Sequence, residues 1–143
     1  MGILTDIVVA DRTKAKEVCE SECPSREFAG LDIKGIDTTK LGLLHAILTG
    51  GKHDPRFMSD VLYARHEEGP WVIEVPPDLV NLLAALNPEE IEATGKTWAA
   101  TEEFSPKYDN WPAEAVQQCL QKLVELSTRA VADGKSVLLW MAL

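Results

Sequence analysis

The stretch Asp37-Thr-Thr-Lys-Leu-Gly-Leu-Leu-His-Ala-Ile-Leu-Thr-Gly-Gly51 limits the fold more tightly than any other part of the chain. Asp37 is a fair N-cap and Gly50-Gly51 a strong stop, so the segment predicts one helix of fixed length. At about 100° per residue, Leu41, Leu44 and Leu48 share one side, with Leu43 and Ile47 next to it. A helix this apolar must be covered by other elements, and it is predicted to be the centrepiece of the core. His45 falls at the edge of the leucine stripe, beside the small residues Gly42 and Ala46.

Around this helix the pattern alternates between strands and helices. Ile3 to Ala10 is β-branched and apolar, a buried strand. Asp11 can cap a helix running to about Cys23, stopped by Pro24 and weakly apolar, hence on the surface. Phe28 to Ile36 reads as extended or irregular, Lys52 to Met58 as a loop, and Val61 to Arg65 as either strand or helix. Trp71 to Val75 is a strand, and Pro77 opens a helix bearing Leu79, Val80, Leu82, Leu83 and Leu86. Asn87-Pro-Glu-Glu90 has the form of a capping box and starts a helix expected to reach Phe104. Pro112 opens the longest helix, with Val116, Leu120, Leu123, Ser127 and Ala130 on one stripe, closed by Asp133-Gly134. Ser136 to Ala142 is nearly unbroken in apolar character, as in a central strand covered on both faces. The expectation is an α+β fold over residues 1–143 as one domain. A small sheet pairs the first and last strands and packs against about five helices.

A chain of 143 residues can bury roughly 70% of its unfolded surface, so the core needs no metal or disulfide. Lys plus Arg is 14 against 23 for Asp plus Glu, a net charge of -9 that repels phosphate backbones and anionic lipid. Nucleic acid and membrane surfaces are therefore set aside, and a basic protein partner or a cationic ligand is kept. The start Met-Gly-Ile-Leu has no basic leader, Asp6 stands where a myristoylation motif needs Ser or Thr, and no apolar run reaches the ~18 residues of a membrane span. Three cysteines fit reduced thiols, and the expected location is the cytoplasm.

Three constellations could carry chemistry. His45 could move a proton or anchor a ligand, although a neutral core histidine bonded to backbone is the commoner arrangement. Cys19 and Cys23 stand four apart near a helix end among glutamates, which suits structural thiols; Cys119 falls near the stripe of the long helix and is read as inert packing. Trp98, Glu102, Glu103, Tyr108, Asp109 and Trp111 cluster in sequence, and carboxylates beside tryptophans can hold a cation or a sugar. The residues taken forward as binding candidates are His45, Trp98, Glu102 and Trp111. No catalytic residue, metal ligand or cofactor site is assigned: there is no Gly-rich phosphate loop, no G-x-S-x-G and no H-E-x-x-H.

The run Leu44-His45-Ala46-Ile47-Leu48-Thr49-Gly50, preceded by Leu31-Asp32 and Lys40, resembles the leucine-histidine … leucine-threonine-glycine segment of the YfbM-like family. The order of elements is similar too, from the Met-Gly start through a Gly-Pro strand and a Pro-x-x-Leu helix to the apolar strand after Gly-Lys. The segment before the helix and the loop from Lys52 to Asp60 depart from that pattern. The resemblance implies a small α+β bacterial cytosolic protein of uncharacterised function and brings no catalytic residues. Three readings follow. The first is a non-catalytic protein-interaction module using an acidic surface. The second is a small-ligand domain with a pocket between His45 and Trp98 or Trp111. The third is an enzyme pairing His45 with Glu102, Glu103 or Asp109. Homo-oligomerisation is compatible with all three.

Overall fold

The structure, a computed structural model, describes residues 4–33, 35–54, 56–58 and 61–142. Five strands form one antiparallel sheet in the order β2-β1-β5-β4-β3. They are β1 (Leu4–Ala10), β2 (Ala29–Asp32), β3 (Val61–Ala64), β4 (Trp71–Glu74) and β5 (Ser136–Ala142). The first and last strands pair along their full length, from Leu4 opposite Ala142 to Ala10 opposite Ser136. β5 sits in the middle of the sheet, which is why its sequence is apolar at successive positions.

The two sheet faces are covered unequally. Ile7, Val9, Ile73, Val75, Val137 and Leu139 point into the main core. That core is closed by α3 (Thr38–Thr49), α4 (Pro77–Ala84), α5 (Pro88–Ala99) and α6 (Ala113–Asp133). Val8, Ala10, Val72 and Leu138 alternate to the opposite face and pack under α1 (Ala15–Glu20) through Ala15, Val18 and Cys19. The fold is thus α+β, as the sequence pattern implies.

The capping chemistry is as expected. Asp37 Oδ1 accepts the Lys40 N–H at 2.9 Å, and Gly50 closes α3 with φ of 69°, a left-handed conformation that favours glycine. Asn87 and Glu90 form a reciprocal capping box, with Asn87 Oδ1 accepting the Glu90 N–H and Glu90 Oε1 accepting the Asn87 N–H.

Four expectations change. The helix read from Asp11 to Cys23 is broken: a 3-10 turn at Arg12–Lys14 leads into α1, which ends at Glu20. Pro24 excludes the helical region for Cys23 (φ -145°, ψ 77°) and starts the four-residue α2 (Pro24–Glu27) rather than stopping a longer helix. α5 ends at Ala99 instead of Phe104, because the backbone turns extended at Thr101 and a short 3-10 turn delivers Phe104 to the core. Six α-helices stand among the described residues, in keeping with the expected count of about five, and Val61–Ala64 resolves to a strand. Finally, α6 outranks α3 as the core's spine: it buries Val116, Cys119, Leu120, Leu123, Val124, Ser127 and Ala130. α3 buries only Lys40, Leu41, Gly42, Leu44 and Ala46. Ile3, Pro55 and Asp60, which the sequence reading places in a strand and a loop, lie outside the described residues.

Candidate functional site

His45 stands on the outer flank of α3, half-buried, and faces the start of α4. Its Nε2 lies 2.6 Å from Oδ2 of Asp78. Asp78 sits in the first turn of α4 behind Pro77, where a carboxylate is also favoured by the helix dipole. The imidazole stacks on Phe57, ring centres 3.9 Å apart and planes 17° from parallel. One turn earlier, Gly42 leaves room for a second imidazole: a Cβ there would lie 2.8 Å from His53 Nε2. The small-residue strip of α3 therefore seats the loop that carries His53 and Phe57, rather than opening a cavity.

This pair can hold two helices together, and little else in its surroundings adds chemistry. No thiol, hydroxyl or amine stands within hydrogen-bond distance of the imidazole nitrogens among the described residues. No group of three or more His, Cys, Asp and Glu among them could hold a metal ion. An exposed pair of this kind contributes at most about 1 kcal/mol, and Asp78's side chain is 70% exposed.

The aromatic-acidic cluster is a structural unit built on Lys40. The Lys40 side chain is 1% exposed, yet its ammonium is charged-paired: it meets Asp109 directly and Asp37 Oδ2 at 3.5 Å, with the Phe104 ring 5.6 Å away. Trp98, fully buried, donates its Nε1–H to the Lys40 carbonyl at 2.9 Å. Phe104 meets Trp98 edge-on at 5.1 Å and Trp111 at 5.3 Å. Gly35, at φ of 95°, brings backbone onto Trp111, where a Cβ would lie 3.3 Å from the ring. This network fastens the loop after α5 to the start of α3.

The predicted site residues are thus brought together only in part. Trp98 and Trp111 converge through Phe104, but Trp98 is core, with its polar handle used. Glu102 is solvated and pairs loosely with Lys107 at 3.4 Å. His45 has different neighbours, Asp78 and Phe57. Five surface hollows among the described residues, of about 180 to 470 Å³, have linings that do not include His45, Trp98, Glu102 or Trp111. Asp78, Phe57 and Lys40 are the residues the sequence reading missed. Lys40 had a signal: it stands one turn before Leu44 on the apolar stripe. Asp78 had none, being 33 residues from His45.

The thiols are packing groups. Cys19 is buried in α1 and donates to the Pro70 carbonyl at 3.3 Å; burial first, then the nearby Glu20 charge, pushes its pKa up. Burial pushes Cys119 up to about 12. Cys23 lies outside α1, so the expected pair on one helix face does not form.

No protein-family model, curated protein or solved structure matches the chain.

Proposed function

We propose that the protein is a non-catalytic interaction module that engages a basic protein partner through an acidic surface. It is read as a cytoplasmic protein of the small bacterial kind that the YfbM-like resemblance implies. The supporting observation is where unneutralised carboxylates gather. The β3–β4 hairpin carries Glu67 and Glu68 at its exposed tip and is tied to α1 by the Cys19–Pro70 hydrogen bond. The exposed flank of α1 and the turn after it carry Glu17, Glu20 and Glu22. None of these five joins an ion pair among the described residues. Carboxylates left unpaired project a field over about 8–10 Å at ordinary salt and speed the encounter with a basic surface. Meanwhile His45, Lys40 and the Trp98 indole are each engaged inside the fold, which supports binding over catalysis. No helix is long and apolar enough to cross a membrane among the described residues.

The test is an amide-shift titration with a decalysine peptide at low and high salt. The reading expects shifts gathered on residues 17–22 and 66–69 that fade as salt rises. Shifts spread evenly over every acidic residue, or none at low salt, refute it. Replacing Glu67 and Glu68 with Gln serves as the matched loss-of-binding control.

A further inference from the structure

At the junction of α4, the end of α6 and the start of β5 lies a hollow of about 210 Å³. Its walls are mainly aliphatic, with Val80 and Val137 buried and Val131 half exposed at the mouth. Two features bring negative charge to its lining. The Glu74 side chain, only 17% exposed, lines it. The 21-residue α6 also ends there at Gly134, presenting the partial negative charge of a helix C-terminus.

Glu74 has unused capacity. Its Oε2 accepts the Ser136 hydroxyl at 2.9 Å, whereas among the described residues Oε1 has only the Arg12 guanidinium at 3.6 Å, beyond hydrogen-bond reach. A carboxylate can accept about four hydrogen bonds, so donors are wanted. Arg12 approaches from a second, smaller hollow that Glu74 also lines. The chain thus already brings one cation to this carboxylate from one side and leaves the aliphatic side open. Lys135 also lines the hollow, but among the described residues the ion pair of Glu74 is with Arg12 and not with Lys135.

We propose that this hollow binds an ammonium group carried on a short aliphatic stem. The ammonium donates to Glu74, and the stem lies against Val80, Val131 and Val137. Size restricts the class, since ligand pockets for drug-sized molecules start at about 300 Å³ and this one is smaller. A multi-ring cation exceeds this volume. The same chemistry has two sources, a free alkylamine or a lysine side chain laid along the valines with its charge on Glu74. The proposal stands apart from the acidic face on α1 and the hairpin, and neither depends on the other.

Methyl-region spectra of the intact protein, titrated with butylammonium chloride, with a short peptide bearing one lysine, and with 1-butanol, decide it. The expected result is that at least one ammonium probe moves the Val80, Val131 and Val137 methyls, while butanol moves them at about tenfold higher concentration or not at all. Tighter binding of butylammonium assigns the site to a free amine; tighter binding of the peptide assigns it to a partner's lysine. Glu74→Gln, which keeps an acceptor for Ser136, should weaken the ammonium probe about tenfold or more. Val131→Phe, at an exposed position, should block the mouth and give the same loss should Glu74→Gln fail to fold. Arg12→Gln should tighten binding by removing the resident cation. The proposal is overturned if neither ammonium probe moves those methyls, if butanol matches them, or if a folded Glu74→Gln or Val131→Phe variant binds as the wild type does.

Discussion

Removing the carboxylate of Asp109 should destabilise the protein more than removing the buried charge it neutralises. The Lys40 side chain is 1% exposed and that of Asp109 48% exposed, so the two ends of this ion pair sit in different media. Asp109→Asn leaves an ammonium inside the fold with Asp37 Oδ2 at 3.5 Å as its remaining counter-charge. Breaking a buried pair in this way costs about 3–5 kcal/mol, and because Asp37 remains the lower end applies, about 3 kcal/mol. Lys40→Met removes the buried charge, keeps a similar stem beside Phe104, and hands Asp109 back to water; about 1 kcal/mol is expected. Asp37 continues to cap α3, because its Oδ1 bond goes to the Lys40 backbone N–H and not to the side chain. With an unfolding entropy of about 2.1 cal/mol/K per residue, 143 residues give about 0.3 kcal/mol/K, so about 3 kcal/mol lowers Tm by about 10 °C and about 1 kcal/mol by about 3 °C. Urea unfolding with an unchanged m-value supplies the free energies. In the double variant, Asp109→Asn added to Lys40→Met should be nearly silent, because the charge it served is gone. Lys40→Met losing as much stability as Asp109→Asn, or additive single effects, would refute the argument that burial of the ammonium sets the cost.

Three further outcomes follow from the geometry. Gly30→Ala should cost about 1–3 kcal/mol in urea unfolding, since a Cβ there lies 2.6 Å from the Ile7 carbonyl oxygen and 2.8 Å from Val8 Cγ1, so β2 must move off β1. Asn87→Ala should cost about 1 kcal/mol by the same measurement, and adding Glu90→Ala should cost little more, because the two bonds of the capping box are reciprocal. For Cys119, burial raises the folded pKa from 9.0 to about 12, so above pH 9 the unfolded chain holds fewer protons than the native one. Stability then falls as pH rises through this window, with a slope of up to about 1.4 kcal/mol per pH unit from this group. Cys119→Ala should flatten the slope between pH 9 and 11 while lowering stability throughout; an unchanged slope would place the alkaline loss elsewhere.

What could be read from the chain, and what could not, divides by the range of the interaction. Helix ends with a local cap were legible, because such a cap is a contact between residues three or four apart: Asp37 with Lys40, Asn87 with Glu90, Gly50 and Gly134 in the left-handed region; the uncapped ends at Glu20 and Ala99 were not. The central position of β5 was legible for a related reason, since burial on both faces acts on each residue independently and leaves an unbroken apolar run. Chemistry at a distance left no such trace. His45 finds Asp78 across 33 residues and Lys40 finds Asp109 across 69; nothing in local spacing selects Asp78 over Glu102, Glu103 or Asp109 as the partner of His45, or Asp109 as the partner of Lys40. Lys40 shows how the two kinds of information combine. A charge on the stripe of Leu44 breaks the apolar pattern, and such a break demands a buried counter-charge, although it cannot name which one. The fold answers with a loop whose own aromatics, Phe104 and Trp111, are held against the same lysine's neighbourhood. Within the acidic-aromatic cluster that reads as a binding site in sequence, Asp109 is therefore the means by which α3 satisfies its buried charge, while Glu74 is a carboxylate with an acceptor still open.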